Sequence, residues 1–285
     1  MGLRGGDLTV RPPPRGRFGS DLKPRVAAAG VMGGLALATA WVGGVIFAVF
    51  WWLASVVVLW EWQRLVGGAR LAERVALGGL FIAMAALFAL HNSILGAVAG
   101  LVLGAGAVSW LAGRGARTWA GVGALYAGAL AASVTLLRIS PSYGLAAILW
   151  IFAVVWGADV AAYFAGRTIG GPKLWPSVSP GKTWSGAIVG ALAGAVLGLM
   201  LTAWTNRVMP LFWLGLATAV VSALGDLFES ALKRRFGVKD SSGLIPGHGG
   251  LMDRLDAFVA ASVFAAVVAG FNSRSSFIAG GLFQW

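Results

Sequence analysis

The sequence contains no cysteine, and only 11% of its residues are charged. The absence of cysteine excludes a disulfide framework and any metal site built from thiolates. Soluble domains carry roughly 25% charged residues, so this chain has less than half of the usual solubilising charge. Histidine occurs only twice, which disfavours a zinc site. The composition is therefore not that of an ordinary soluble domain.

Apolar residues replace the missing charge: 58% of the chain is hydrophobic, and its mean hydropathy is +0.82. Apolar runs near 20 residues recur along the sequence, and each is about long enough to cross a hydrocarbon core of roughly 30 Å. The sequence predicts an all-α integral membrane protein, a polytopic bundle of about nine transmembrane helices. The predicted spans are 26–42, 44–60, 75–90, 94–112, 119–137, 143–165, 185–204, 208–227 and 252–270.

The basic residues predict how the bundle is oriented. All but three of the 22 lysines and arginines fall on one side of the predicted topology, and the exceptions are Arg138, Arg207 and Arg274. Cytoplasmic loops carry the excess of basic residues, so the N-terminus is expected in the cytoplasm. Residues 1–25 are expected to form a basic cytoplasmic tail rather than a cleaved signal peptide.

The formal net charge of +12 does not indicate a nucleic-acid partner. The basic residues are scattered over short loops, and the sequence offers no basic face with interleaved aromatic residues. Anionic lipid headgroups and phosphorylated substrates are the expected partners.

Eight of the ten acidic residues fall into two classes by position. A solvated role in the tail or in loops is expected for Asp7, Asp21, Glu61 and Glu73. A charge at membrane depth costs about 2.5–3.5 kcal/mol on insertion scales, so an acid there usually faces a cavity and marks function. The acids at or within predicted spans are Asp159, Asp226, Asp253 and Asp256.

Two pairs of acids, Asp226 with Glu229 and Asp253 with Asp256, are each separated by three positions. On a helix this spacing places both members of a pair on one face. Carboxylate oxygens at two helix ends suit Mg²⁺, which takes a few carboxylates together with phosphate and water. Under the alternative interpretation, which is compatible with metal binding, these acids neutralise nearby basic residues: Lys233, Arg234 and Lys239.

Two polar segments on the same predicted membrane side favour phosphate binding. Glycine amides just before a helix, as in 239–250, form an anion cradle with the helix N-terminus. Residues 176–183 add a lysine and hydroxyl groups, but not with the spacing of a Walker loop. His248 is expected to order its loop by hydrogen bonding rather than to carry a proton. The residues alone thus predict a cytoplasm-facing phosphate site that depends on Mg²⁺.

Residues 230–256 resemble the signature of the phosphatidate cytidylyltransferases, or CDP-diacylglycerol synthases. The resemblance is carried by Ser230-Ala-Leu-Lys233-Arg234, Lys239-Asp240, Pro246-Gly-His248-Gly249-Gly250 and Asp253-Arg254-Leu-Asp256. Residues 179–184 and 225–230 are similar to two further blocks of that family, and the resemblance is strong over about 140–270. Two positions depart from the family pattern: Ser185, where Glu or Gln is usual, and Ser242, where glycine is common.

The resemblance implies condensation of CTP with phosphatidic acid, with Mg²⁺ as cofactor. It also implies a homodimer in the bacterial cytoplasmic membrane, with its active site facing the cytoplasm. It implies that three aspartates hold the metal: Asp226, Asp253 and Asp256. The expected catalytic residues are these three together with Lys239 and Asp240. The expected substrate-binding residues are Ser179, Lys182, Thr183, Glu229, Lys233, Arg234, His248, Gly249, Gly250 and Arg254.

The chain is accordingly divided into the tail 1–25, N-terminal transmembrane helices 26–137 and a C-terminal catalytic transmembrane region 138–285. Two other functions remain open at this point. One is a cation-coupled transporter or channel, which intramembrane carboxylates also suit. The other is a polyprenol kinase-like enzyme that uses CTP as a phosphoryl donor.

Overall fold

The computed structural model describes residues 22–205, 207–245 and 249–284, with side-chain surroundings from residue 27 onward. These residues contain nine α-helices. Their bounds are α1 Leu22–Val42, α2 Gly44–Val66, α3 Leu71–Leu90, α4 Ile94–Ala112, α5 Arg117–Arg138, α6 Gly144–Thr168, α7 Trp184–Leu201, α8 Val208–Arg235 and α9 Met252–Asn272.

Eight of these helices, α2 to α9, are long and apolar enough to cross a membrane, and the apolar part of α1, Ala27–Val42, is shorter. The predicted multi-pass helical bundle is confirmed. The predicted tail 1–25 lies outside the described residues except for its last four positions, which already belong to α1.

A small β-hairpin departs from the all-α prediction. Strands β1, Lys173–Trp175, and β2, Ser179–Thr183, pair antiparallel between α6 and α7. The amide of Trp184 donates to the carbonyl of Pro172 at 3.0 Å and closes the base of the hairpin. The polar segment between two spans is therefore an ordered element attached to the start of α7.

Helix α5 forms the centre of the bundle and packs against α2, α3, α4 and α9. Its alanines and glycines leave room for larger side chains of the neighbouring helices. A second contact zone joins α2, α6 and α9, where Trp51 and Phe152 each stack on Phe258 with ring centroids 5.0 Å apart. Such aromatic pairs add about 0.5–1.5 kcal/mol beyond burial.

The glycine ladder of α7 allows an unusually close contact with α6. A Cβ atom at Gly186, Gly190 or Gly194 would lie 2.7–2.8 Å from a carbonyl oxygen of α6. Only glycine permits this approach of two backbones, which is the use of small residues expected between transmembrane helices. The contact fixes the hairpin at one end of the bundle, close to the ends of α6 and α8.

The last turn of α2 is anchored at the same end. The indole of Trp62 donates to the backbone carbonyl of Trp119 at 2.7 Å. The side-chain amide of Gln63 donates to the backbone carbonyl of Ala120 at 2.8 Å. Arg74 is fully buried and donates to the side-chain oxygen of Gln63 at 2.8 Å. These bonds hold the end of α2 rigidly against α5.

Candidate active site

Asp253, in the first turn of α9, is the central acceptor of the segment between α8 and α9. We call residues 236–251 the connecting segment, of which 246–248 lie outside the described residues. The carboxylate of Asp253 accepts from the amides of Ser241, at 3.1 and 3.2 Å, and Gly250, at 2.8 Å. It thereby draws the two halves of the connecting segment together.

Lys233 joins α8 to this arrangement. Its ammonium lies 2.6 Å from a carboxylate oxygen of Glu229 and 2.8 Å from one of Asp253. The Lys233 and Glu229 side chains are 11% and 0% exposed, so this ion-pair group is almost fully shielded from solvent. The interpretation that acids neutralise neighbouring basic residues is therefore confirmed for Lys233.

A second ion pair lies nearer to the surface. Lys182 of β2 contacts the carboxylate of Asp226 on α8, and the two side chains are 28% and 30% exposed. The charges of Asp159 on α6 and Asp256 on α9 interact with that of Asp226. The charges of acids from three helices and one lysine from the hairpin are thus near one another, with Lys182 and Asp226 partly exposed and Asp256 buried.

The hairpin is held against α8 by a second contact. Arg234 donates from Nε to the carbonyl of Val178 at 3.4 Å, and from Nη1 to the carbonyl of Val238 at 3.2 Å. Arg234 therefore ties the hairpin and the connecting segment to the end of α8. This function is structural, and it leaves the predicted substrate role of Arg234 untested.

The hairpin carries two hydroxyl residues that were predicted to bind substrate, and their surroundings differ. Thr183 is buried and accepts from the amide of Gly186 at 3.1 Å, so it caps the N-terminus of α7. Ser179 is half-buried at the start of β2. Ser185, one of the two departures from the family pattern, lies 3.0 Å from the Thr183 hydroxyl and donates to the carbonyl of Gly170.

The remaining predicted residues belong to the connecting segment and the start of α9. Lys239, Asp240 and Arg254 are exposed. Gly249 has a φ of +80°, a left-handed conformation that glycine adopts without strain. Its carbonyl accepts from the amide of Ile245 at 2.8 Å, which closes the turn around the undescribed residues 246–248. The prediction for His248 falls on those residues.

Glu61 is a site residue that sequence reasoning placed wrongly. We expected a solvated loop position, but Glu61 lies within α2 and is fully buried. Its carboxylate accepts from the hydroxyls of Ser241 at 3.2 Å and Ser242 at 2.6 Å. It also accepts from the amides of Leu251 at 2.9 Å and Met252 at 2.6 Å.

These contacts correct the expectation of a phosphate cradle built from backbone amides. The amide of Gly250 donates to Asp253, and the amides of Leu251 and Met252 donate to Glu61. Carboxylates of the protein already occupy the start of α9, so its helix N-terminus is used within the fold.

Tyr126 of α5 is a second residue that the sequence did not single out. Its hydroxyl is buried and makes no hydrogen bond within the described structure. The ring lies 5.0 Å from that of Trp62, and the hydroxyl is close enough to feel the charges of Asp256, Glu229 and Asp226. A buried hydroxyl without a partner costs the fold free energy.

The donor set fits Mg²⁺ in kind. Within the described part of the chain, no group of three or more acidic or histidine side chains is arranged to hold a metal ion. Asp226 contacts Lys182, Asp253 contacts Lys233, and Asp256 accepts from the amide of Ala257 at 2.8 Å. The site shared by three aspartates stays a prediction. Because Mg²⁺ commonly takes one or two carboxylates and draws its other ligands from phosphate and water, these residues are compatible with it.

Comparison with known proteins decides the family. Residues 23–271 match the model of the cytidylyltransferase family. The chain belongs to this family. The match includes all nine helices almost completely, so the family assignment covers both the N-terminal helices and the site end of the bundle.

Relatives with an assigned activity are similar over most of the chain. The phosphatidate cytidylyltransferase of Brucella suis biovar 1 (strain 1330) is 40% identical over 262 residues, which cover 88% of this chain and 95% of the relative. That of Pseudomonas aeruginosa is 38% identical over 251 residues, covering 79% and 88%. That of Haemophilus influenzae is 47% identical over 131 residues, covering 44% and 46%.

Proposed function

We propose that the protein transfers the cytidylyl group of CTP to phosphatidic acid, giving CDP-diacylglycerol and pyrophosphate. The activity named for its relatives and its membership of the cytidylyltransferase family support this reaction. The structural observation that carries it is the accessible Lys182–Asp226 pair in a region where acids of three helices meet. Lys182 can neutralise phosphate oxygens, and the acids can hold the Mg²⁺ that a polyphosphate binds.

The reaction is an in-line substitution at phosphorus. A phosphate oxygen of phosphatidic acid forms a bond to the α-phosphorus of CTP, the bond from that phosphorus to the bridging oxygen of the β-phosphate breaks, and pyrophosphate leaves with the electron pair. Positioning and charge neutralisation supply most of the catalysis in such transfers. The lipid phosphate is already ionised near neutral pH, so no strong general base is required.

Basic side chains would neutralise the phosphates during this step. Lys182 is the best placed of them, because it comes from the hairpin and is partly accessible beside Asp226. Lys239 and Arg254 are exposed on the same end of the bundle. Lys233 is committed to Glu229 and Asp253, so we assign it to holding those acids in place.

We propose Mg²⁺ as the cofactor, held by Asp226, Asp256 and Asp253. The hard carboxylate donors and the lack of cysteine favour this ion over softer metals. When bound, Mg²⁺ supplies positive charge to the phosphate oxygens. Asp226 is the most accessible of the three, since Asp256 is buried and Asp253 is engaged by a lysine and two amides.

The proposed location is the bacterial cytoplasmic membrane, with the site facing the cytoplasm. The distribution of lysine and arginine along the chain supports this orientation through the positive-inside rule, and the relatives named above are bacterial proteins. The acyl chains of the substrate would remain in the bilayer while its headgroup reaches the site. We also propose a homodimer, on the family resemblance alone; light scattering of the detergent-solubilised protein would test it.

The reaction can be tested by product analysis. Purified protein is incubated with phosphatidic acid, Mg²⁺ and CTP labelled at either the α- or the γ-phosphate. The proposal predicts that the α-label enters a CDP-lipid and the γ-label leaves as pyrophosphate, and that a chelator stops both. A kinase would instead transfer the γ-label to lipid, and a transporter would form neither product.

A further inference from the structure

Glu61 accepts hydrogen bonds from two parts of the chain that are far from it in sequence. Ser241 and Ser242 donate from the first half of the connecting segment. Leu251 and Met252 donate from the junction with α9. One carboxylate therefore fastens the connecting segment on both sides of the undescribed residues 246–248.

The turn of α2 that carries Glu61 is anchored to α5. Its neighbours Trp62 and Gln63 are each hydrogen-bonded to backbone carbonyls in the first turns of α5, at 2.7 and 2.8 Å. Both side chains are fully buried. The carboxylate is therefore held by the bundle itself, and the connecting segment takes its position from α2.

Glu61 also replaces a local helix cap. Leu251 is the N-cap residue of α9 and offers no side-chain cap of its own. A negative charge at a helix N-terminus is favourable, because unpaired amides and the helix dipole both face it. Glu61 supplies that charge from another helix and so fixes where α9 begins, which sets the positions of Asp253 and Asp256.

The packing around this clamp leaves no spare room. A Cβ atom at Gly250 would collide with the hydroxyl of Ser241 and the carboxylate of Glu61. Ser242, which stands where the family commonly has glycine, makes one of the shortest of the four bonds to Glu61, at 2.6 Å. The departure at Ser242 therefore has a definite physical consequence in this chain.

We propose that Glu61 is a positioning residue for CTP binding, which holds residues 241–242 and the start of α9 in the conformation that receives the nucleotide. It does this through Ser241, Ser242, Leu251 and Met252, and it does not itself touch the substrate. The inference rests on the proposed function: Glu61 fixes the start of α9, which carries Asp253 and Asp256, and these are the residues proposed to hold the Mg²⁺ that a nucleoside triphosphate binds.

The substitution Glu61→Gln tests the clamp with little change in volume. A carboxylate offers only acceptors, whereas a glutamine side chain presents an NH₂ group to donors that already point at it. Glu61→Asp keeps the acceptors but is one methylene shorter, so it should rescue part of the loss. Glu73→Gln is the matched control, since Glu73 is an exposed glutamate at the start of the neighbouring helix α3.

The readout is kcat and KM for CTP and for phosphatidic acid separately. We expect Glu61→Gln to raise the KM for CTP about 10- to 100-fold, the usual loss when a group that supports metal-holding residues is removed. The KM for phosphatidic acid should stay close to that of the unaltered protein, because the change affects one substrate selectively. A purely structural role would lower the amount of active enzyme, and so kcat, with both KM values unchanged; that result would overturn the proposal.

Ser242→Gly provides an independent variant that keeps the protein folded if Glu61→Gln does not accumulate. Loss of one hydrogen bond to a charged group should raise the KM for CTP about 3- to 10-fold, and it should add little in the Glu61→Gln background. An unchanged KM for CTP in Ser242→Gly would contradict the inference. If the unaltered protein makes no CDP-diacylglycerol, the proposed function fails instead, before any variant is compared.

Discussion

Lys182 and Asp226 form an ion pair that links the hairpin to α8, and both side chains remain partly exposed. Ion pairs with this degree of exposure contribute about 0–1 kcal/mol to stability. The pair is therefore a weak structural link, although it joins two elements at the point where Asp159 and Asp256 add their charges. Because the pair is weak, Lys182 could leave Asp226 and contact a substrate phosphate at little cost in stability.

Replacing Lys182 with methionine should remove activity and leave stability nearly unchanged. We expect kcat to fall on the order of 100- to 1,000-fold, as for loss of one preorganised charge in other enzymes. The free energy of unfolding should change by about 1 kcal/mol or less. The measurements are turnover with labelled CTP and thermal unfolding in detergent.

Lys173→Met is the matched control for Lys182→Met, because Lys173 is exposed on the other strand of the same hairpin. It should keep near-normal turnover. Equal losses in the two variants would mean that the hairpin needs positive charge in general, and Lys182 would lose its specific role.

Lys233→Met should act on stability first. Lys233 is the cation between Glu229 and Asp253, and both acids are almost fully buried. Removal of one partner from a buried ion pair leaves an uncompensated charge and costs about 3–5 kcal/mol. Denaturant or thermal unfolding of the purified protein would measure this cost.

The double variant Lys233→Met/Glu229→Gln serves as the internal control for that prediction. Neutralising Glu229 removes one of the two stranded charges, so the double variant should recover part of the lost stability. If the single variant is as stable as the unaltered protein, water must reach Glu229 and Asp253, and the ion pairs of Lys233 are not shielded as described.

Asp256→Ala should separate function from assembly. Asp256 is buried on α9, and its charge interacts with that of Asp226. The variant should reach the membrane in normal amounts and lose CTP-dependent CDP-diacylglycerol formation on the order of 100-fold. Immunoblotting of membranes and a product assay measure the two properties. Near-full activity would remove Asp256 from the reaction site.

Tyr126→Phe should have opposite effects on stability and activity. The Tyr126 hydroxyl is buried without a hydrogen-bond partner in the described structure, so its removal should leave the unfolding temperature unchanged or raise it. We expect turnover to fall about 10-fold, the loss of one hydrogen bond made to the reacting groups, because the hydroxyl is close enough to feel the charges of Asp226, Glu229 and Asp256. Unchanged turnover would make Tyr126 a packing residue of α5.

Hydropathy predicted the bundle well because each span is a long apolar run, but it placed the ends of two helices too early. The predicted spans end at 60 and 227, whereas α2 continues to Val66 and α8 to Arg235. Glu61 and Lys233 lie in these extensions. Their polarity lowers the local hydropathy, yet the tertiary contacts bury them, so a pattern that equates polarity with solvent placed Glu61 in a loop.

The site was predictable in composition and less so in its contacts. The acids with three-residue spacing do lie on α8 and α9, at one end of the bundle. The hairpin was not predicted, because strands of three and five residues are too short to give a periodic signal. The hydrogen bonds from the first amides of α9 to Glu61 could not be predicted either, since Leu251 and Met252 lie far from Glu61 in the sequence.

The most direct test of the account compares Asp226→Asn with the unaltered protein in one preparation, by the amount of CDP-diacylglycerol formed for each pyrophosphate released. The substitution keeps the size of the side chain and removes the charge that faces Lys182, Asp159 and Asp256. The account predicts equal amounts of both products from the unaltered protein and a loss on the order of 100-fold in the variant. Comparable product from both proteins would contradict the assignment of the reaction to this site.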